Sequence, residues 1–245
     1  MTDFHVHTTY SDGRSAPEEV VQSAIAMGMT TLGFSDHSHT AFDERYCIPI
    51  EKLPAYRAEI AALKEKYACQ IEILCGIEQD FWSEESADGF DYVIGSVHYI
   101  RCGEAYIPVD EGNDVLLDAV RKYFGGDIYA LIAEYYRTVA QVVQKTGCQI
   151  IGHFDLISKF NEQGDLFDDT DLRYIAAWQS AADELLKTGI PFEINTGAIS
   201  RGYRTTPYPA APIREYLAAR GARFLLSSDS HRANTLCFEF DRWNK

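Results

Sequence analysis

The sequence lacks the patterns that mark several large classes of protein. It contains no run of about 18 apolar residues, so no membrane-spanning helix is expected. Met1-Thr2-Asp3 is followed by neither a basic segment nor an apolar one, so we expect no secretory signal and a cytoplasmic protein. G-x-G-x-x-G and G-x-x-x-x-G-K-[ST] are both absent, and with them the usual signs of a dinucleotide or nucleoside-triphosphate site.

Basic residues are scarce. The 22 Lys and Arg residues stand against 37 Asp and Glu residues, which gives a formal net charge of −15. A protein of this sign is not expected to bind nucleic acid, and it would repel an anionic substrate unless local groups attract it. The six cysteines form no C-x-x-C pair, so we expect free thiols rather than disulfides or a thiolate metal site.

The sequence does contain short apolar strands that alternate with helices. Its 245 residues are enough for one α/β domain, which we expect over residues 1–245. Seven strands favour a distorted (β/α)7 barrel, similar to a TIM barrel, over an open sheet. The predicted strands are 4–6, 31–35, 71–77, 92–97, 149–152, 191–194 and 224–227. The predicted helices are about 17–27, 53–67, 128–145, 169–187 and 210–220, and long loops are predicted over 38–51 and about 101–114.

Histidines and carboxylates stand where these apolar strands give way to loops. One such residue alone would more often be a hydrogen-bonded core or surface residue, but here six of the seven histidines and three carboxylates share the pattern. The carboxyl ends of barrel strands meet at one face, so these side chains should converge. Histidine and carboxylate together bind zinc, manganese or iron. The predicted metal ligands are His5, His7, Asp12, His37, Glu78, His98, His153, Asp229 and His231. His39 does not fit the pattern and is expected to face solvent or support a ligand.

The order of these motifs resembles the polymerase-and-histidinol-phosphatase (PHP) superfamily over essentially the whole chain. The motifs are Asp3-Phe4-His5-Val6-His7-Thr8, Tyr10-Ser11-Asp12-Gly13, Phe34-Ser35-Asp36-His37-Ser38, Gly76-Ile77-Glu78, Gly95-Ser96-Val97-His98, Gly152-His153 and Ser228-Asp229-Ser230-His231. The resemblance implies a barrel with two to three divalent transition metals (Zn, Mn or Fe). It implies one metal held by His5, His7, Glu78 and Asp229, a second by Glu78, His98 and His153, and a third by Asp12, His37 and His231.

Further details resemble the histidinol-phosphate phosphatase branch of that superfamily. They are Asp12, where other branches have histidine, residues 153–160, and Glu193-Ile194-Asn195-Thr196-Gly197 followed by Arg201. The resemblance implies hydrolysis of L-histidinol phosphate to L-histidinol and phosphate in histidine biosynthesis, with a hydroxide that bridges two metals as the nucleophile. The alternatives are another small phosphomonoester or phosphodiester as substrate, or a metal-binding domain without catalysis.

Roles within the site follow from the chemistry of phosphate ester hydrolysis. The predicted catalytic residues are Glu78, Asp229 and His231. A metal-bound water, Asp229 or His231 could donate the proton to the leaving oxygen. Arg201 and Lys159 are predicted to bind phosphate, with Arg204 a weaker competitor of Arg201, although each could be a solvated surface charge.

Neighbouring residues are candidates for supporting roles. Asp36 precedes His37, and Asp155 lies two residues after His153, so each could orient a ligand histidine. Residues 42–46 and 104–106 are acidic and aromatic; they could contact the cationic groups of histidinol or be ordinary solvated loops. The expected partner is a small-molecule phosphate ester, with neither nucleic acid nor membrane, and the sequence contains no signal of oligomeric state.

Overall fold

Parallel strands form the framework of the computed structural model, which describes residues 1–243. The strands in this range are β1 (Thr2–Asp3), β2 (Thr31–Phe34), β3 (Glu72–Asp80), β4 (Tyr92–Ser96), β5 (Tyr99–Cys102), β6 (Ala105–Pro108), β7 (Ile150–Ile151), β8 (Phe192–Asn195) and β9 (Phe224–Ser227). Seven of them form one parallel sheet in the order β1-β2-β3-β4-β7-β8-β9, and β5 and β6 form a separate antiparallel hairpin.

Helices surround the strands. In residues 1–243 they are α1 (Pro17–Ala26), α2 (Leu53–Tyr67), α3 (Asn113–Tyr123), α4 (Ile128–Val139), α5 (Val142–Thr146), α6 (Leu172–Leu186), α7 (Gly197–Ser200), α8 (Ala211–Ala218) and α9 (Phe240–Trp243). The side chains of Asp127 and Asp171 accept backbone N–H groups at the starts of α4 and α6, which satisfies donors that have no partner inside the helix. None of these helices has the length and apolar character of a membrane span.

The barrel closes between its first and last strands through residues just beyond β1 and β9. Val6 and Ser230 form a parallel bridge. The Ser230 N–H donates to the His5 carbonyl at 3.1 Å, and the His7 N–H donates to the Ser230 carbonyl at 2.8 Å. The buried carboxylate of Asp3 adds hydrogen bonds from the N–H and hydroxyl groups of Ser228. Closure therefore brings the first two histidines of the chain beside the Ser228–His231 segment.

An apolar layer fills the barrel interior. It consists of Tyr92, Ile94 and Ile150, with Phe4, Leu74 and Leu225 packed against them. The Tyr92 hydroxyl donates to the carbonyls of Phe4 at 2.6 Å and Phe34 at 2.8 Å. A Cβ atom at Gly76 would lie 2.3 Å from the Tyr92 ring, so only glycine allows the ring to lie across the barrel.

The predicted (β/α)7 barrel is confirmed, and several local predictions are wrong. The first strand lies at Thr2–Asp3 rather than at 4–6. Residues 101–114 do not form a loop, because they contain most of the β5–β6 hairpin, with a two-residue turn that begins at Gly103 (φ 63°), and the start of α3. The helix predicted over 128–145 is interrupted between α4 and α5. There the Gln141 N–H donates to the Thr138 carbonyl, while the Gln141 side chain takes the Arg137 carbonyl that a continuous helix would use.

Candidate metal centre

The nine predicted ligands lie together at one end of the barrel. His5 and His7 follow β1, His37 follows β2, Glu78 lies in β3, His98 follows β4, His153 follows β7, and Asp229 and His231 follow β9. Glu78 does not end its strand as expected, because β3 continues to Asp80. Asp12 lies in the turn after His7. Seven of the nine are buried, His231 is partly buried and Asp12 is exposed.

Glu78 occupies the middle of the cluster, and both of its carboxylate oxygens face histidine rings. The ring nitrogens nearest Oε1 are His153 Nε2 at 2.9 Å and His98 Nε2 at 3.4 Å; those nearest Oε2 are His37 Nδ1 at 2.7 Å, His5 Nε2 at 3.3 Å and His7 Nε2 at 3.6 Å. Burial alone would raise the pKa of Glu78, but the surrounding imidazoles hold it well below its usual range. Glu78 is therefore a carboxylate with several nitrogen ligands in reach.

Asp229 is the carboxylate of a second group. Its Oδ1 lies 3.2 Å from His7 Nε2 and 3.8 Å from His5 Nε2. Arg201 approaches from the other side: its Nη2 donates to Asp229 Oδ2 at 2.9 Å, and its Nη1 lies 2.8 Å from His231 Nδ1. The Asp229 backbone has a φ of 47°, the left-handed region that aspartate tolerates better than most residues. The chain thus accepts an uncommon backbone conformation where this carboxylate is needed.

Asp12 is the carboxylate of a third group. Its oxygens lie 3.2 Å from His231 Nε2 and 3.6 Å from His37 Nε2. Desolvation by the surrounding cluster opposes ionisation, but His37 and His231 hold the pKa of Asp12 below its usual value. One ligand atom from each of His7, Asp12, His37 and His231 lies within 4.8 Å of the others. The predicted trio is therefore assembled, and His7 lies beside it as well as beside Asp229.

The donor atoms fit divalent transition metals. Several buried atoms of the cluster form no hydrogen bond of acceptable geometry in residues 1–243, including His5 Nε2, both ring nitrogens of His7, and Glu78 Oε2, although other members of the cluster lie close to them. Each unpaired buried polar atom costs about 1–3 kcal/mol of stability, and a bound cation would remove this cost from the metal-free protein. Zinc ligands at about 2.0–2.2 Å in tetrahedral geometry lie roughly 3.3–3.6 Å apart. The separations of 3.2–3.8 Å between His5 or His7 and the oxygens of Glu78 and Asp229 are close to that spacing.

Two carboxylates that orient ligand histidines were missed in the sequence. Asp80 Oδ2 lies 3.1 Å from His98 Nδ1 and also accepts the His98 backbone N–H. Glu193 Oε1 lies 2.6 Å from His5 Nδ1. Asp80 could have been found, since it stands two residues after Glu78 on the same strand and so on the same face.

The expectation that Asp36 and Asp155 orient ligand histidines is wrong. Asp36 instead accepts hydrogen bonds from the backbone and hydroxyl groups of Thr8 and Ser11, and so shapes the turn that presents Asp12. Asp155 accepts from Ser158 and from the backbone of Ala210. Adjacency in sequence was misleading, because neither carboxylate is directed at the ring beside it.

A cavity of about 840 Å³ opens over the cluster. Asp12, His37, His98, His153, Asp229 and His231 line it, together with charged side chains of both signs: Asp43, Asp110, Glu111, Arg14, Arg45, Lys159, Arg201 and Arg232. The Lys159 ammonium donates to the Asp110 carbonyl at 2.9 Å and lies 3.1 Å from its carboxylate. Arg204 is buried and donates to Ser158, so it does not compete with Arg201 for the cavity. His39 lies outside, 3.6 Å from Glu44.

The fold and the site define a barrel protein with a cluster of histidine and carboxylate side chains that can bind metal. Residues 3–197 match the model of the PHP domain family, and the chain belongs to this family. The resemblance predicted from the motifs is confirmed.

Known relatives are similar along nearly the whole chain. The chain is 30% identical to a probable histidinol-phosphatase of Deinococcus radiodurans, with 98% of this chain and 90% of the relative covered. The putative histidinol phosphatase of Listeria monocytogenes has a similar structure, with a TM-score of 0.83, 18% identity, and 99% and 100% of the two chains covered. The histidinol phosphate phosphatase of Lactococcus lactis, solved with zinc, L-histidinol and phosphate, has a TM-score of 0.66 at 23% identity, with 95% and 86% covered. These two structures show the shared fold.

Proposed function

We propose that the protein hydrolyses L-histidinol phosphate to L-histidinol and phosphate. The observation that supports this most directly is the convergence of nine histidine and carboxylate side chains, six of which line a cavity that Arg201 also lines. The name of the Deinococcus radiodurans relative, which is similar over almost its full length, supports the choice of substrate.

We further propose two to three divalent transition metals, zinc, manganese or iron. His5, His7, Glu78 and Asp229 would hold one, Glu78, His98 and His153 a second, and Asp12, His37 and His231 a third. Metals bound there would polarise phosphoryl oxygens, neutralise developing negative charge and lower the pKa of a coordinated water toward about 7. Glu78 is 1% exposed and does not line the cavity, so its role is to hold metals rather than to touch substrate.

Basic side chains would complete the phosphate site. Arg201 uses Nη1 and Nη2 on Asp229 and His231, and its guanidinium still has N–H groups for a phosphate oxygen. It also lies in the cavity wall, which gives these groups access to substrate. Lys159 lines the same cavity, but it uses two of its three N–H groups on the carbonyl and carboxylate of Asp110, which leaves one for phosphate. We therefore assign Arg201 the larger role and Lys159 a secondary one.

Besides a metal-bound water, the candidates for the leaving-group proton are Asp229 and His231. Both line the cavity, and His231 Nδ1 lies 3.5 Å from Asp229 Oδ1. Although burial opposes it, Arg201 holds the pKa of Asp229 well below its usual range, so Asp229 is ionised at neutral pH and His231 or the metal-bound water would be the better donor.

The remaining wall of the cavity suits the cationic part of histidinol. Asp43, Asp110 and Glu111 supply carboxylates, and the Arg45 guanidinium lowers the pKa of Asp43 to about 2, so Asp43 is negative at neutral pH. Tyr46 presents its ring edge-on to His37 at 5.0 Å between centroids. A substrate with a phosphate at one end and a cation at the other matches this mixture of charges.

The catalytic unit extends beyond the matched family region. Residues 3–197 match the family model, but Asp229 and His231 lie after it and complete the cluster. We therefore propose that the single domain predicted over residues 1–245 is the functional unit, although residues 244–245 lie outside the described part of the chain.

A phosphate-release assay tests the proposal. The panel contains L-histidinol phosphate, sugar phosphates, nucleotides and a model phosphodiester, each with the metal-loaded protein and with Glu78→Gln as the inactive control. The highest kcat/KM is expected for L-histidinol phosphate. A higher value for another monoester or for the diester would replace the assigned substrate. Metal analysis that finds no bound transition metal in active protein would refute the mechanism.

A further inference from the structure

We propose that Glu193 is a positioning residue that sets the orientation of His5 and anchors the His153 loop, and so couples two of the metal sub-sites. The inference rests on the metal ligation proposed above for His5 and His153. Glu193 lies in β8, is 1% exposed and belongs to none of the ligand groups. In the sequence, residues 193–197 were noted only for their resemblance to the histidinol-phosphate phosphatase branch, and Glu193 was given no role.

One carboxylate oxygen of Glu193, Oε1, fixes the orientation of the His5 ring. Oε1 lies 2.6 Å from His5 Nδ1. An ionised carboxylate can only accept hydrogen bonds, so Nδ1 is the protonated nitrogen. His5 Nε2 is then directed at Glu78 Oε2, 3.3 Å away, and at Asp229 Oδ1, 3.8 Å away. This is the arrangement in which a carboxylate orients a metal-binding histidine and increases its basicity.

The second oxygen of Glu193 reaches a different strand end. Oε2 accepts the backbone N–H of His153 at 3.0 Å, at the point where the chain leaves β7. His153 Nε2 in turn lies 2.9 Å from Glu78 Oε1. One side chain therefore contacts the ring of a ligand in the first sub-site and the backbone of a ligand in the second.

Asn195 extends this link to Asp229. Residues 193 and 195 are two apart on β8 and share a face of the strand. The Asn195 Oδ1 accepts the Gly197 N–H at 2.9 Å, which directs its Nδ2 to Glu193 Oε2 at 3.2 Å and to Asp229 Oδ2 at 3.4 Å. The Glu193–Asn195 pair thus connects the ends of β1, β7 and β9 from a single strand.

The position requires a carboxylate. Glutamine has almost the same shape, but its amide has one acceptor oxygen and so cannot accept from both His5 Nδ1 and the His153 N–H. Its amino group would face one of these two donors. No lysine or arginine nitrogen in residues 1–243 lies within 4.0 Å of the Glu193 carboxylate, whose salt-bridge partner is His5. A buried negative charge without a basic partner favours a cation bound nearby.

The experiment compares zinc affinity of the full-length protein and of Glu193→Gln by competition with a chromogenic chelator. Loss of an orienting partner typically weakens metal binding about 10- to 100-fold, and we expect a decrease in this range. The matched control is Asp155→Asn, which neutralises another buried carboxylate that accepts two hydrogen bonds but contacts no ligand side chain. The control is expected to bind zinc as the wild type does, whatever its thermal stability.

A purely structural role for Glu193 predicts a different result. It would lower the melting temperature of Glu193→Gln and leave zinc affinity and stoichiometry unchanged, and that outcome in a protein with the wild-type circular dichroism spectrum overturns the proposal. If Glu193→Gln does not fold, Glu193→Asp provides the test. The shorter carboxylate keeps its charge but cannot span His5 and His153, so it too should bind zinc more weakly, and wild-type affinity again overturns the proposal. A wild-type protein that binds no zinc, manganese or iron contradicts the proposed function instead.

Discussion

Replacing Gly197 by alanine should displace the carboxylate of Asp229. Gly197 is the first residue of α7, directly beyond β8, and its Cα faces Asp229. An added Cβ would lie 2.7 Å from both Cβ and Oδ2 of Asp229 and 2.9 Å from its Cγ, whereas ordinary contacts begin at 3.4 Å. One of the two groups must therefore move by about 0.7 Å or more.

Asp229 cannot make this movement without losing other contacts. Arg201 Nη2 donates to its Oδ2 at 2.9 Å, and Asn195 Nδ2 approaches the same oxygen at 3.4 Å. Its backbone is already in the left-handed region, with a φ of 47°. A displacement near 1 Å in a reacting group can lower the rate about 100-fold. For Gly197→Ala we therefore expect a decrease in kcat/KM on the order of 10- to 100-fold.

The assay is steady-state phosphate release from L-histidinol phosphate, with thermal unfolding measured in parallel. Gly28→Ala is the control: its φ of 69° makes alanine unfavourable by roughly 1–2 kcal/mol, but no atom lies within 4 Å of the new Cβ. It should lose stability and keep its activity. Wild-type kcat/KM in Gly197→Ala would show that the close approach to Asp229 is not required, and equal losses of activity in both variants would attribute the effect to folding.

Three further predictions concern other parts of the site. Arg201→Lys keeps the charge but cannot reproduce the contacts that Nη1 and Nη2 make with Asp229 and His231. Because each lost charged hydrogen bond is worth about 1.5–3 kcal/mol, kcat/KM should fall roughly 10- to 100-fold. An unchanged kcat/KM would remove Arg201 from the phosphate site. His98→Ala should greatly reduce phosphate release and metal content, whereas His39→Ala should alter neither; equal behaviour of the two variants would contradict the assignment of His98. Added salt should lower kcat/KM because it screens attraction of the phosphate, and this dependence should be weaker in the double variant Arg14→Gln/Arg232→Gln; identical salt profiles would rule out a steering role for these arginines.

The site was more predictable from sequence than its supporting contacts. A residue placed at the carboxyl end of a parallel strand must lie at the common face of the barrel, whichever helix follows it. His5 and His7 leave a strand two residues apart and therefore point the same way. Asp229 and His231 also converge, but Asp229 has left-handed backbone (φ 47°), so strand alternation is not the reason there. These statements need only approximate strand positions. Errors in the strand bounds, such as the strand predicted over 4–6 that lies at Thr2–Asp3, do not change them.

Contacts between segments distant in sequence depend on register and side-chain packing instead. The hydrogen bond from His5 to Glu193 joins residues 188 positions apart. The pairing of Lys159 with Asp110 requires the β5–β6 hairpin, which was predicted as a loop. No local pattern signals which carboxylate a given histidine or lysine will meet, so Glu193 and Asp110 could be assigned only from the structure.

The distribution of charge in the cavity explains how a protein with a net charge of −15 could attract a phosphate ester. Arg45 lies 2.7 Å from the carboxylate of Asp43 and 3.2 Å from that of Glu111, so this part of the wall has no excess positive charge.

Arg14 and Arg232 line the same cavity, and within residues 1–243 neither guanidinium has a carboxylate within 4.0 Å. Both arginines lie next to the Asp12–His231 pair. The Arg14 N–H donates to the His231 carbonyl at 2.8 Å, and Arg232 directly follows His231 in the chain. These two arginines therefore add positive charge beside the group where the third metal is proposed. A phosphate drawn to that side would leave the cationic end of the substrate toward Asp43 and Glu111, which is the orientation that hydrolysis at the metal cluster requires.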